Sequence, residues 1–154
     1  MSSGMASPGR LSEMFKVKVL TIGKCKEEWL AAALSEYEKR LKGKALFEWA
    51  IAKNNVQLVE WADQEPYFIP LDPQGELLDS ESFSRKLFRL FVEKGSRLCF
   101  IIGGAEGLPP PIRTRFPFRL SLSPLTFTHQ ITRLVFIEQI YRAFEIEKGS
   151  GYHK

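Results

Sequence analysis

Short apolar runs with strand character alternate with amphipathic helical segments from Phe15 to the end of the chain. The run RLCFII at residues 97–102 is apolar almost throughout, which is typical of a strand buried on both faces. Strands separated by helices pack side by side as a parallel sheet, because each parallel neighbour needs a crossover connection. The sequence therefore predicts an α/β fold, a mostly parallel sheet with helices on both faces.

Each predicted element has its own pattern of apolar spacing, capping residues or helix breakers. We expect strands at residues 15–23, 45–52, 67–71, 97–102 and 118–122. We expect helices at residues 26–42 and 56–62, a helix capped by Ser80 and ended by Gly95, a short helix opened by residues 109–111, and a final helix over about 128–148. Apolar side chains cover more than half the circumference of this final helix, which predicts a homodimer through it. They are Ile131, Leu134, Val135, Ile137, Ile140, Tyr141 and Phe144.

Length and composition limit the class of protein. A chain of 154 residues fits one domain, which we place at residues 14–154. Residues 1–13 lack the pattern of a signal or transit peptide, so we expect a disordered leader, either artificial or due to an upstream start site. No apolar run reaches the roughly 18 to 20 residues of a membrane-spanning helix, and Cys25 and Cys99 have no spacing typical of zinc sites or disulfides. We therefore expect a cytoplasmic protein without a membrane partner.

The positive charge of the chain is one indication of a partner. A net charge of +4 favours a polyanion, because lysine and arginine neutralise phosphates, although many proteins of this charge bind no nucleic acid. Three arginines alternate with aromatic residues in the stretch Arg113, Arg115, Phe116, Phe118 and Arg119. Such a stretch either grips phosphates and stacks on bases or forms the charged rim of a short helix. Both interpretations are open at this point.

Three loops directly follow predicted strands: LDPQG at residues 71–75, GGAEG at 103–107 and SLSPLT at 121–126. Ligands of parallel sheets bind outside the carboxyl ends of the strands, so we expect these loops to converge on one edge. The glycines of GGAEG allow a ligand to approach the backbone closely, or simply a tight turn, and they match neither dinucleotide nor P-loop spacing. Asp72 suits a ribose hydroxyl or a cationic ligand, but an Asp before Pro also commonly starts a turn.

The segment before and at the start of the final helix mixes apolar and hydroxyl side chains. This mixture suits a pocket for a flat heterocycle, whereas Thr128 could also serve only as a helix cap. His129 and His153 are the two histidines of the chain, and either can exchange a proton near neutral pH, although a lone histidine is more often structural. Arg142 lies four residues after Glu138, so a surface ion pair is its simplest explanation.

Four motifs occur in a fixed order in the last third of the chain: IIGGAEG at residues 101–107, SLSPLTFTH at 121–129, IEQIYRAF at 137–144 and GYHK at 151–154. This set resembles the RlmH family of knotted SPOUT-superfamily methyltransferases, which act on ring nitrogen N3 of a pseudouridine in large-subunit ribosomal RNA. The strand at 15–23 and the LD pair at 71–72 extend the resemblance to most of the chain after Met14.

The resemblance implies a C-terminal trefoil knot, which general topology rules would exclude because knots are nearly absent from proteins. It also implies a homodimer, S-adenosylmethionine as the methyl donor, and no metal. The implied donor-binding residues are Leu71, Asp72, Gly103, Gly104, Leu122, Ser123, Pro124, Leu125, Thr126, Phe127 and Thr128. The implied catalytic residues, which contact the base and the RNA, are His129, Arg142, Tyr152 and His153, the last two reaching across the dimer.

Methyl transfer needs the acceptor nitrogen in line with the methyl group and without its proton, so positioning supplies most of the rate enhancement. Our hypothesis is that His153 or His129, or water held by them, assists proton removal, while Arg142 stabilises negative charge on the base.

One alternative is a non-catalytic domain of the same fold that binds RNA or the ribosome, and the GGAEG glycines argue against it. A nucleotide-binding Rossmann-like enzyme is a second alternative, disfavoured by the missing fingerprint. The sequence leaves open whether free ribosomal RNA or the assembled ribosome is the substrate.

Overall fold

The structure, a computed structural model, describes residues 15–152. Five parallel strands form one sheet in the order β2-β1-β4-β3-β5. The strands are β1 (Lys16–Ile22), β2 (Leu46–Ala52), β3 (Ile69–Leu77), β4 (Arg97–Ile101) and β5 (Leu120–Ser121). The helices are α1 (Glu28–Leu41), α2 (Asn55–Asp63), α3 (Ser80–Lys94), α4 (Pro110–Arg113) and α5 (His129–Glu147). The predicted parallel α/β fold is thus confirmed, while the expected leader at 1–13 lies outside the described residues, and the single domain at 14–154 stays a prediction.

The two faces of the sheet carry separate apolar cores. Side chains alternate along each strand, so Leu98 and Phe100 point to one face of β4, whereas Cys99 and Ile101 point to the other. The first face packs against α1, α3 and α5, and the second against α2 and α4. Burial of both faces confirms what the continuous apolarity of RLCFII predicted.

Most element ends lie within two residues of the prediction, and three boundaries differ in ways that have a physical cause or change an element. Strand β3 does not end at Leu71: its pairing with β5 shifts register and resumes at Glu76, so that residues 72–75 form a bulged turn inside the strand. The N-cap of α3 is Asp79, whose carboxylate accepts from the backbone N–H of Ser82, because the Ser80 hydroxyl donates to Gln139 on α5 instead. Strand β5 is shorter than expected and comprises only Leu120–Ser121.

Helix α5 lies between α1 and α3 on the first face of the sheet. Ile137, Ile140 and Phe144 are buried in the core, as their spacing predicts. Other apolar residues of α5 are only partly buried along its outer side; these are Ile131, Leu134, Val135 and Tyr141. Leu134 and Tyr141 also pack against the core, and the Tyr141 ring contacts the rings of Tyr37 and Tyr152. The homodimer through α5 stays a prediction.

Phe136 was missing from the predicted apolar face of α5 and is completely buried. Its ring centroid lies 4.7 Å from that of Phe100 on the central strand β4. We expect Phe136→Ala to lower the free energy of unfolding by about 3 to 5 kcal/mol, because the cavity left at the centre of a close-packed core adds to the lost transfer energy. Urea denaturation measures this loss. The matched control is Val92→Ala at a position that is 85% exposed, where the change should stay within about 0.5 kcal/mol.

Candidate active site

The three loops named from the sequence meet in one cavity of about 650 Å³, at the bulged turn of β3 and the carboxyl ends of β4 and β5. All the predicted donor-binding residues except Pro124 line this cavity, and His129 lines it too. Further residues complete the lining: Pro73, Gln74, Ile102, Ala105, Glu106, Gly107, Leu108, Arg113 and Thr132. The convergence of the loops on one edge of the sheet, expected from the topology of parallel sheets, is therefore confirmed.

The glycine loop after β4 folds back on itself. Gly104 forms an isolated bridge with Gly107, which has a φ of +84° that favours glycine. A Cβ atom at Gly103 would lie 2.7 Å from the carbonyl carbon of Gly107 and 2.8 Å from the backbone nitrogen of Leu108. At Gly104 the nearest atom would be Cβ of Ile22, at 3.3 Å. The first glycine is therefore required by close backbone packing, and the second has slightly more room.

Asp72 at the cavity wall is buried and already paired within the chain. Its Oδ1 accepts from the backbone N–H of Gln74, and its Oδ2 accepts from Arg113 Nε at 3.1 Å and from Arg119. Burial alone would raise the pKa of this carboxyl, but the bond from Gln74 and the two guanidinium groups hold the pKa below its ordinary value. Asp72 thus starts a turn and organises the loop, and its charge is balanced before any ligand binds.

Replacement of Asp72 by Asn should destabilise the fold by about 1 to 2 kcal/mol at pH 7, because charge-assisted hydrogen bonds to two partly exposed arginines are weakened. A lowered pKa means that this stability is present above pH 4 and lost as the pH falls through the folded-state pKa. The difference between wild type and variant should therefore shrink below pH 4, which chemical denaturation at several pH values measures. The control is Asp63→Asn, which breaks a single exposed pair with Arg115 and should cost less than about 1 kcal/mol.

The basic aromatic stretch is mostly occupied with contacts inside the chain. Arg115 pairs with Asp63, and Phe116 packs edge-on against Phe68 with ring centroids 5.0 Å apart. Lys86 lies over the ring of Phe118. Since Arg113 and Arg119 bind Asp72, all three arginines have carboxylate partners among the described residues, and the structure favours the interpretation of a charged rim.

The loop from Ser121 to Thr128 is held by its own hydroxyl groups. The Ser121 hydroxyl is shared between the carbonyls of Pro73 and Ser123, which joins this loop to the turn after Asp72. Thr128 caps α5 by accepting from the backbone N–H of Ile131, as expected. Leu125 and Phe127 are 73% and 39% exposed, so the loop presents two apolar side chains at the cavity mouth.

His129 is the first residue of α5 and faces the cavity. Partial burial, followed by the nearby positive charge of Arg133, holds the pKa of its imidazole below the ordinary value. The side-chain nitrogen of Gln130 lies 3.4 Å from Nε2 of the ring. The lowered pKa favours the neutral imidazole, which is the form that can accept a proton.

A segment that the sequence did not single out lies next to the site: Ile22 at the end of β1 and the turn after it, Gly23 and Lys24. Arg133 donates to the carbonyls of Ile22 and Gly23, and the Gln130 amide donates to the carbonyl of Lys24. A signal was available: Arg133 stands four residues before Ile137, on the stripe of α5 that faces the core, where a charged residue is unusual.

Arg142 and Tyr152 lie away from this cavity in the same chain. Arg142 is thirteen positions after His129, which corresponds to about 20 Å along the helix at 1.5 Å per residue. Arg142 Nη2 donates to Glu138 Oε2 at 2.8 Å, and the Tyr152 hydroxyl donates to the same oxygen at 3.0 Å. The predicted ion pair is present, and burial together with the Glu138 carboxylate raises the pKa of Tyr152. His153 lies outside the described residues, so its predicted role stays a prediction.

Among residues 15–152, no group of three or more His, Cys, Asp or Glu side chains is arranged to hold a metal ion. In the same part of the chain, every helix is too short or too polar to cross a lipid bilayer.

Comparisons with known proteins point to one family. Residues 15–153 match the model of a family described as Predicted SPOUT methyltransferase. A ribosomal RNA large subunit methyltransferase H from Protochlamydia amoebophila is 52% identical to the chain over 141 residues, covering 92% of this chain and 100% of that protein. Proteins of the same name from Dictyoglomus thermophilum and Streptococcus mutans are each 36% identical, covering 89% and 90% of this chain and 98% and 99% of their own lengths.

Proposed function

Because the chain belongs to the SPOUT methyltransferase family, we propose that it is an enzyme that methylates large-subunit ribosomal RNA. The observation that carries this proposal is the convergence of the three loops on one cavity beside His129. The names of the relatives, which span nearly the same length as this chain, support ribosomal RNA as the substrate class.

We propose S-adenosylmethionine as the methyl donor, and the residues around the cavity fit it. A volume of about 650 Å³ lies within the range of small-molecule pockets, and the walls combine apolar side chains with exposed backbone. Leu71, Leu122 and Phe127 offer apolar surfaces for a flat heterocycle, and the glycine loop brings backbone groups close to a ligand. The donor supplies a methyl group on a positively charged sulfur, so the protein needs no strong nucleophile of its own.

We propose ring nitrogen N3 of a pseudouridine as the acceptor, as the resemblance to the RlmH family implies. The bond from methyl carbon to sulfur breaks, a bond from N3 to this carbon forms, and sulfur keeps the electron pair as a neutral thioether. The N3 proton leaves to a base, for which His129 is placed at the cavity wall and His153 is the second candidate. Arg142 would stabilise negative charge that develops on the base.

The distance between Arg142 and the cavity supports a dimer with composite sites. In one chain they are about 20 Å apart along α5, so both can act on one base only if the second copy of the chain supplies Arg142, Tyr152 and His153. The partly buried apolar stripe on the outer side of α5 offers the contact surface. We also propose the C-terminal knot: β5 lies at the sheet edge, yet α5 directly after it reaches back to the end of β1.

The assembled ribosome or free ribosomal RNA would be the polyanionic partner, in line with the net charge of +4. A cytoplasmic location follows from that substrate.

The test of the proposed function is mass spectrometry of large-subunit ribosomal RNA after incubation with the protein and S-adenosylmethionine. We expect one added methyl group on a single pseudouridine, with free RNA and intact ribosomes assayed in parallel. Absence of added methyl on both substrates would contradict the proposal.

The alternative function is a non-catalytic domain that binds RNA or the ribosome. Calorimetry with S-adenosylmethionine separates the two functions. An enzyme should bind the donor or its demethylated product in the micromolar range, about 8 kcal/mol, whereas a binding-only domain should give no heat.

A further inference from the structure

Arg133 is the largest fully buried side chain of the described residues and is 2% exposed. Its Nη2 donates to the carbonyl oxygen of Ile22 at 2.8 Å and to that of Gly23, while its buried Nε has no partner. Among residues 15–152 it forms no ion pair with a carboxylate. A buried guanidinium without a counterion is costly, so a fold that retains one is using its charge or its geometry.

The carbonyls that Arg133 binds belong to the last residue of β1, Ile22, and to the turn that follows it at Gly23. Gly23 in this turn has a φ of +87°, and a Cβ there would lie 3.8 Å from His129 Nε2. On the other side, Ile22 is the nearest neighbour of Gly104 in the glycine loop. Gly23 thus lies beside His129 and Ile22 beside Gly104, and Arg133 donates to the carbonyls of both Ile22 and Gly23.

We propose that Arg133 is a positioning residue, which fixes the end of β1 between His129 and the glycine loop and whose buried charge keeps the imidazole neutral and ready to accept the substrate proton. This inference rests on the proposed function. It assigns to the first strand and to α5 a role in the reaction that the three loops alone do not explain.

The surroundings of His129 support the proposed effect of the Arg133 charge on the imidazole. Arg133 is one helical turn away on the same face of α5, so protonation of the ring would place a second positive charge beside a buried one. The pKa of His129 is lowered first by burial and second by Arg133. The other charged groups that line the cavity are Asp72 and Arg113, which pair with each other while Asp72 also pairs with Arg119, and Glu106 on the glycine loop.

The contact with Gln130 supports the same protonation state. The Gln130 amide nitrogen is identified by its bond to the carbonyl of Lys24, and it also lies 3.4 Å from His129 Nε2. An amide nitrogen only donates, so this contact is a hydrogen bond only when Nε2 carries a lone pair, as it does in one neutral tautomer of the ring. The contact is therefore compatible with a neutral imidazole.

Two substitutions separate charge from geometry: Arg133→Gln keeps a hydrogen-bond donor but removes the charge, and Arg133→Lys keeps the charge but loses the planar fork. The first readout is an NMR pH titration of His129 in the protein alone. We expect the pKa of His129 to rise in Arg133→Gln and to stay low in Arg133→Lys. The control Lys148→Gln removes an exposed charge at the far end of α5 and should leave the titration unchanged.

The second readout is the pH dependence of kcat for RNA methylation. In Arg133→Gln the acid limb of the kcat profile should move to higher pH together with the His129 titration. The value of kcat should fall by about 10-fold or more, and donor affinity should stay within threefold of wild type.

The proposal would be overturned if the pKa of His129 did not change in Arg133→Gln, or if it rose equally in Arg133→Lys. If Arg133→Gln does not fold, the Arg133→Lys titration still decides, because a raised pKa there contradicts the role of the charge. If the wild-type protein methylates no RNA while the two Arg133 variants change the pKa of His129 as expected, the proposed function is contradicted. The electrostatic effect of Arg133 on His129 is then supported by itself.

Discussion

Gly103→Ala is expected to weaken binding of S-adenosylmethionine about 100-fold, equivalent to about 2.7 kcal/mol. The new methyl group would overlap the backbone of Gly107 and Leu108, at 2.7 and 2.8 Å, and backbone cannot rotate away as a side-chain end can. The loop must therefore shift as a unit, at the 1 to 3 kcal/mol that is typical of overpacking. Because this loop forms a wall of the cavity, the shift changes the shape that the donor must fill.

The matched control for this prediction is the adjacent glycine. At Gly104 the nearest atom is Cβ of Ile22 at 3.3 Å, so Gly104→Ala needs a displacement of only a few tenths of an ångström. We expect it to weaken donor binding less than about fivefold, or about 1 kcal/mol. Calorimetry gives both affinities, and thermal melting shows that both variants fold. Equal affinities of Gly103→Ala and wild type would mean that the glycine loop does not shape the donor site.

His129→Ala should lower kcat by about 100-fold or more, the lower end of what a positioned general base contributes. Donor affinity should stay within about threefold of wild type, because the imidazole acts on the acceptor base. The reactive form is the neutral ring, so wild-type kcat should be lost as the pH falls through a folded-state pKa below the ordinary value of about 6.5. Single-turnover methylation of ribosomal RNA at several pH values measures both effects.

Exogenous imidazole provides the control for this experiment. If His129 accepts the proton, millimolar imidazole should restore part of the activity of His129→Ala and should not accelerate the wild type. His153→Ala is assayed in parallel, because the same hypothesis names both histidines. Full turnover in each single variant would exclude proton transfer by either.

The fold was predictable because it depends on patterns that local sequence carries. The period of apolar residues identified the strands and the helices, and the burial of β4 on both faces followed from RLCFII alone. The convergence of the loops followed from the geometry of parallel sheets and needed no side-chain detail. The errors lay at the ends of elements, where a single hydrogen bond can determine which residue is the first or the last. Asp79, for example, takes the N-cap position of α3 in place of Ser80.

The partners of individual side chains were not predictable, because they join segments far apart in the chain. Asp72 is separated by 41 residues from Arg113 and by 47 from Arg119, and no local pattern indicates that they share one carboxylate. Arg133 binds carbonyls more than 100 residues away, at the end of β1. Its place on the buried stripe of α5 signalled an unusual role, but only the three-dimensional structure identifies the turn that it holds.

A crystal structure of the protein with S-adenosylhomocysteine, the product of the donor, tests the central claim most directly. We predict that the product lies between residues 71–74, 103–108 and 122–128, with its sulfur directed towards the side of the cavity where His129 stands. A product bound elsewhere on the chain, or these three segments empty at saturating ligand, would contradict the assignment of this cavity as the donor site.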